Sequence, residues 1–165
     1  YLESKSDHPA IEVSLQSALK FANWAAAKTN QRLRLPTEWE WEYAARGRER
    51  LQFPYGELFD PNKANSIESQ IGDTTPVDRY YRYPSPFRVC DLAGNAEEWT
   101  GSLYAPYPGG RAIKDDIWHA TAGAYNVLRG GCFALGGDLT RCARRHGPGP
   151  YENHVYWSFR LVREL

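Results

Sequence analysis

Apolar residues recur at Leu15, Ala18, Leu19, Ala22, Ala25 and Ala26, the i, i+3, i+4, i+7 spacing that gathers side chains on one face of a helix. Ser14 stands where an N-cap oxygen is wanted, and "KTNQ" (28–31) ends the run. "RLRL" (32–35) alternates polar and apolar residues as a short strand does, before Pro36. "PTEWEWEYAARG" (36–47) then predicts a second helix. Thr37 caps it, Glu40 three residues on completes a capping box, Glu38 and Glu40 suit the positive end of the dipole, and Gly47 stops it. Its pattern predicts a buried stripe of Trp39, Tyr43 and Ala44, with Trp41 toward a rim. Residues 48–89 are dense in Pro, Gly, Asn, Asp and Tyr. So long a connection is expected to be functional or held by something such as a metal. Strand patterns return in "AEEWTGS" (96–102), "YNVLRGG" (125–131) and "YWSFRLV" (156–162). Two helices followed by short strands among long loops is an α+β order, not a doubly wound one.

The chain has 165 residues, the size of one domain with a real core. Its 20 Lys and Arg balance its 20 Asp and Glu, which removes the standing basic field of a nucleic-acid binder. No run approaches the roughly 20 apolar residues needed to span a bilayer. Cys90, Cys132 and Cys142 are an odd set, unlike a secreted disulfide framework, so a reducing, cytoplasmic setting is expected. Two of them share the stretch "RGGCFALGGDLTRCARR" (129–145) and raise the question of a working thiol pair. The expectation is two packed thiols, since Cys is often simply a small buried residue. A disulfide would require a Cα separation that spacing alone does not give. His8, His119, His146 and His154 show no metal-ligand spacing.

"RLPTEWEWEYAARG", "TTPVD", "DLAGNAEEWTGS", "VLRGG" and "SFRLV", in that order, resemble the successive signatures of the formylglycine-generating enzyme family, also called the sulfatase-modifying factors. The likeness runs from about His8 to the end. It implies a C-type-lectin-like α+β fold: two helices on small, irregular antiparallel sheets with long loops. It further implies one domain over residues 1–165, without the N-terminal strands that family members usually carry.

The family's enzymes oxidise a substrate cysteine with copper held by two thiolates, and soft sulfur is what Cu(I) requires. Carried onto this chain, those two positions read Leu135 and Thr140. The resemblance therefore implies a module without catalytic residues. It is most similar to the variable proteins of diversity-generating retroelements, which use the fold to display a hypervariable patch. Diversification of AAC codons cannot yield Lys, Glu, Gln, Met or Trp, and from Cys132 to Tyr156 only Glu152 falls outside the permitted set. The implied ligand-contacting positions are Leu135, Gly136, Gly137, Asp138, His146, Gly147, Pro148, Gly149, Tyr151, Asn153, His154 and Tyr156. The ligand would be a protein or other macromolecule, not nucleic acid. An ordinary glycine-rich loop stays open as the alternative for this stretch. Two further functions stay open: an active cysteine oxidase, and an accessory or sensor domain of a larger protein.

The resemblance also implies a calcium site from Asp91, the carbonyls of Gly94 and Ala96, and Glu98, all hard oxygen donors. A turn held by hydrogen bonds alone is the alternative. A second set, Asn65, the carbonyls of Ser66 and Ile71, and Ser69 in place of an Asp, is weakened by that replacement. Arg141, Arg144, Arg145 and Arg160 are expected to pair with Glu40, Glu42, Glu97 and Glu98, with Trp99 and Phe159 in the core beneath.

Overall fold

Ser14 and Thr37 start the first two helices as their sequence demands. Ser14 Oγ accepts from the Ser17 amide at 3.2 Å, and the Thr37–Glu40 capping box is complete. The computed structural model describes residues 5–148 and 154–165. In order these form α1 (Leu15–Thr29), β1 (Leu33–Arg34), α2 (Glu38–Arg46), β2 (Glu97–Leu103), α3 (Asp116–Thr121), β3 (Asn126–Arg129), β4 (Trp157–Phe159) and β5 (Val162–Arg163). Single 3-10 turns lie at Ile67–Ser69, Gly137–Thr140 and His154–Tyr156.

The fold is α+β, with two small sheets. β1 pairs antiparallel with β5, and a three-stranded sheet runs in the order β3-β2-β4. β2 and β3 are antiparallel, whereas β2 and β4 are parallel, Glu97 opposite Trp157 and Trp99 opposite Phe159. The larger sheet is thus mixed, not purely antiparallel. The long path from β2 to β4 supplies the crossover that a parallel pair requires.

One core cluster joins Ala18 of α1 to Leu35, Trp99, Leu128 and Trp157, with Phe159 packed at its edge. Trp99 and Trp157 meet edge to face at 5.0 Å. α1 buries only alanines, Ala18, Ala22 and Ala25, so it lies close to its neighbours while Leu19 stays outside. A second cluster holds Trp41, Ala45, Leu92 and Cys142 beneath α2.

The face of α2 is the reverse of the one hydrophobicity predicts. Trp41 is 1% exposed, against 53% for Trp39 and 49% for Tyr43; the buried side carries Glu38, Trp41 and Ala45. Buried polar chemistry decides the rotation. Glu38 is required inside by two arginines, and Trp41 Nε1 donates to Glu98 at 2.7 Å. α3, which hydrophobic spacing does not announce, is capped by Asp115 accepting from the Trp118 amide at 2.9 Å.

The connection from 48 to 89 is held by side-chain amides. Asn95 Oδ1 accepts from the Thr75 amide (2.8 Å) and from Asn65 Nδ2 (3.2 Å), while Asn95 Nδ2 donates to the Thr75 carbonyl (3.1 Å). The chains pass so closely that a Cβ at Gly94, whose φ is +76°, would overlap the Asn65 carbonyl.

Candidate functional site

β2 is buried along its first half, so the consecutive carboxylates Glu97 and Glu98 point to opposite sides of the sheet, each into its own set of partners. Glu98 accepts from Trp41 Nε1 and from Arg160 through Nε and NH2. Glu97, 2% exposed, accepts from Arg144 NH1 and faces His146 Nδ1 at 2.9 Å. Two buried anions are thereby each matched to a cation, as burial demands.

Above Glu97 lies a hollow of about 350 Å³, lined by Glu97, Cys132, Leu135, His146, Tyr156 and Trp157 among others. A second, of about 370 Å³, is lined by Ile67, Gln70, Phe133, Ala134 and Tyr156. Tyr156 borders both and meets Phe133 edge to face at 5.2 Å. Three of the implied ligand positions, Leu135, His146 and Tyr156, therefore converge on one face.

The others are dispersed. Asp138 is exposed, and Gly136 and Pro148 are half-buried. Gly137 and Gly147 are buried against the rings of Phe59 and Tyr125, where a Cβ would collide; they belong to the packing and cannot carry a varying side chain. Gly149, Tyr151 and Asn153 lie outside the described residues, as does the side chain of His154.

The backbone of this face is fixed mainly by main-chain bonds. The Ile67 amide donates to the Leu135 carbonyl (3.0 Å), Leu135 to Cys132 (3.1 Å), Phe133 to Asn95 (3.2 Å) and Leu139 to Gly136 (2.9 Å). Glu68 accepts from the Gly137 amide at 2.9 Å. A loop held through its amides keeps its shape when its side chains change. Phe133, Ile67, Gln70 and Glu97 line the face although motif spacing did not single out the first three. Their signal is position alone, beside residues that did stand out.

Leu135 and Thr140, the positions expected from the resemblance to correspond to copper thiolates, behave differently. Leu135 lines the first hollow, while Thr140 has no exposed surface and donates Oγ1 to the Gly137 carbonyl at 2.8 Å. All three cysteines are free. Burial pushes the Cys132 thiol up to about 11 and the Cys142 thiol up to about 12, so both are neutral near pH 7. Cys132 faces the hollow; Cys142 belongs to the cluster under α2. Among the described residues no three His, Cys, Asp or Glu side chains converge as a metal set, and no helix is long and apolar enough to cross a membrane.

Asp91 and Glu98 share a pocket of about 290 Å³ with Cys90, Asn95 and Arg160. Asp91 Oδ2 is buried without a hydrogen-bond partner, and burial, against the pull of Arg160, pushes its carboxyl up to about 7. The second donor set does not fit a cation. Asn65 spends Nδ2 on the Asp73 carbonyl and Asn95 and takes a bond from Ser69 Oγ, and the Ser66 carbonyl accepts from both Ser69 groups.

The arginine pairing is partly rearranged. Arg144–Glu97 and Arg160–Glu98 form as the charges suggest, but Arg145 pairs with Glu38, Glu40 with Arg34, and Arg141 is exposed. Glu42 is taken by Arg46 and by Arg129. Arg129, fully buried, donates to Glu38, Glu42, the Tyr107 hydroxyl and the carbonyls of Cys142 and Arg144. A motif arginine in "VLRGG" is thus the hub of the interior.

The model of the sulfatase-modifying factor enzyme 1-like domain matches residues 1–165. The serine/threonine-protein kinase Pkn1 of Chlamydia trachomatis is 36% identical over 162 residues, covering 96% of this chain and 24% of the kinase. Hercynine oxygenase of Mycolicibacterium thermoresistibile is 31% identical over 96% of this chain and 36% of its own length. The inactive C-alpha-formylglycine-generating enzyme 2 of Bos taurus is 31% identical over 73% of this chain and 42% of its own. The chain therefore spans between about a quarter and two fifths of the length of these relatives. Among solved structures, Treponema denticola variable protein 1 superimposes with a TM-score of 0.78 at 21% identity, over 94% of this chain and 70% of that one.

Proposed function

The chain belongs to the sulfatase-modifying factor enzyme 1-like domain family, and on that footing we propose that it is a non-catalytic ligand-binding module. In this reading it is a variable protein of a diversity-generating retroelement, presenting the face around Leu135, His146 and Tyr156 to a macromolecular ligand. The observation that carries the reading is the pair of residues at the copper positions. A leucine side chain and a hydroxyl spent inside its own turn offer no soft ligand, whereas the resemblance implies two thiolates to hold the Cu(I). Cys132 is a single neutral thiol in the hollow and cannot replace the pair. The fold likeness to variable protein 1 and the amino-acid repertoire of residues 132–156 support the finer assignment.

Binding would rest on rigid contact residues. Tyr156, braced by Phe133 between two hollows, offers area and a hydroxyl for few rotatable bonds. Calcium is part of the same proposal. Asp91, the carbonyls of Gly94 and Ala96, and Glu98 would hold it; the unpartnered Asp91 oxygen is the donor that fits, whereas Glu98 would have to give up a bond from Trp41 or Arg160 to join it. When bound, the ion would supply charge that keeps Asp91 ionised; Glu98 is already balanced by Arg160.

The test has two arms. Purified protein is titrated with Cu(I) and incubated with a cysteine-containing peptide; neither tight binding nor aldehyde formation is expected, and turnover would overturn the proposal. DNA beside the coding region is sequenced for an adenine-mutated copy of the segment encoding residues 132–156, and its absence removes the retroelement assignment. Calcium is tested by thermal shift, with Asp91→Asn expected to abolish any stabilisation. An accessory domain of a larger protein is the second reading, favoured by the chain's matching only 24% of Pkn1.

A further inference from the structure

α2 turns its polar edge inward and leaves aromatic rings outside. Trp39 and Tyr43, one helical turn apart, are each about half exposed, and Phe87 is 45% exposed. Tyr107 packs edge-on against Trp39 at 4.9 Å, and Phe87 against Tyr43 at 4.9 Å, so the rings continue on either side of the helix. Beside them Trp39, Tyr43, Arg46, Arg48 and Arg50 line a hollow of about 400 Å³. Trp, Tyr and Arg are the residues that dominate binding energy at protein interfaces.

The charge of this hollow is in excess. Glu42 and Glu49 are the carboxylates beside it, and Glu42 is already shared among Arg46, Arg129 and the Tyr107 hydroxyl. Arg48 donates Nε to the Tyr43 hydroxyl at 3.3 Å, and neither Arg48 nor Arg50 makes a salt bridge among the described residues. Arg46 Nε is buried without an acceptor. The turn that carries these groups is already set. Arg46 NH2 donates to the Arg50 carbonyl (3.1 Å), the Leu51 amide to the Arg46 carbonyl (3.1 Å), and Arg50 holds a left-handed φ of 60°. Little ordering remains to be done on binding.

We propose that this outward side of α2 is a second binding site, separate from the Tyr156 face, for an acidic peptide segment of a partner protein. Carboxylates of the segment pair with Arg48 and Arg50, and an aromatic or aliphatic side chain rests on Trp39 and Tyr43. A nucleic acid could stack on the same rings, but three arginines against two glutamates on a chain of zero net charge give too little phosphate neutralisation for it.

The test uses the full chain and fluorescence anisotropy with a labelled peptide of glutamates around a central Leu-Phe pair. Its Gln counterpart and a labelled single-stranded oligonucleotide serve as rivals. The acidic peptide is expected to bind. Trp39→Ala, and Arg48→Ala with Arg50→Ala, are each expected to weaken it about ten-fold or more; the arginine pair, both exposed, should leave the melting temperature unchanged, and Trp39→Ala should lower it only slightly through the lost contact with Tyr107. Arg48→Lys should retain most of the affinity, and Tyr156→Ala should leave it unchanged. No binding by the acidic peptide, equal binding of the Gln peptide, tighter binding of the oligonucleotide, or insensitivity to the arginine variants overturns the proposal. Loss of binding in Tyr156→Ala would also overturn it, by placing the peptide on the other face.

Discussion

Behind α2, Arg129 has no exposed surface and five acceptors, among them Glu38, Glu42 and the Tyr107 hydroxyl, while Arg145 closes over Glu38 between the rings of Tyr104 and Tyr107. Around Tyr156, by contrast, the chain is fixed through amides and carbonyls, and Asp138 reaches into solvent with Leu135 beside the hollow. One region is held by its side chains and the other by its backbone. The difference sets what each can tolerate. A desolvated network binds every member to the identity of the rest, because removing one leaves a buried charge unmatched. A loop shaped by its main chain places no such condition on Leu135 or Asp138, whereas His146 on the same face stays tied to the buried Glu97.

The sharpest way to break that contrast is Arg129→Ala. It removes a fully buried cation from between Glu38 and Glu42, leaving them to Arg145 and Arg46 alone, and strips the Cys142 and Arg144 carbonyls of their donor; it is expected to cost about 3–5 kcal/mol in urea unfolding. A loss below about 1 kcal/mol would mean the network does not lock the interior. Trp41→Phe removes one bond to a charged group and also shrinks a fully buried ring, so a loss of at least about 1.5–3 kcal/mol is expected. Combined with Glu98→Gln, the losses should fall short of additive.

A smaller effect is expected at the rim, where Arg34 ties Glu40 to Glu164 of the closing segment. The hydrogen bond from Arg34 holds the Glu40 carboxyl down at about 2. Its folded value lies below its unfolded one, so the stabilisation is present above about pH 4.5 and lost as pH falls toward 2. Solvent screening keeps it under about 1 kcal/mol. Melting temperatures of wild type and Arg34→Ala should therefore differ slightly at pH 7 and converge by pH 2. Smallest of all, Asp138→Ala and Asp138→Tyr should each change stability by no more than about 0.5 kcal/mol. A loss of several kcal/mol at Asp138 would erase the distinction between the two regions.

Local rules carried much of the fold. The caps at Ser14 and Thr37 and the first three strand runs are short-range signals and lie where their residues put them, but the run 156–162 is broken after Phe159 into β4 and β5, which join different sheets. The rotation of α2 was not legible, because hydrophobicity favours burying Trp39 whereas the partners of Glu38 and Trp41 come from β2, β3 and residue 145, far along the chain. The amide hub of Asn65 and Asn95 was hidden for the same reason: two residues 30 apart whose meaning lies only in their meeting. At the candidate site, Leu135, His146 and Tyr156 were readable from motif positions, but Phe133 and Ile67 owe their place to packing. Gly137 and Gly147, alike in sequence to loop glycines, are fixed by the rings of Phe59 and Tyr125.

The parallel partner of β2 and the antiparallel partner of β1 both come from the final nine residues, beyond the segment that includes Leu135 and Tyr156. During translation neither sheet can be completed until the ribosome has passed the whole of that segment. A frameshift or premature stop there would strip Trp157 from Trp99 and Val162 from Arg34, leaving a product open to proteolysis.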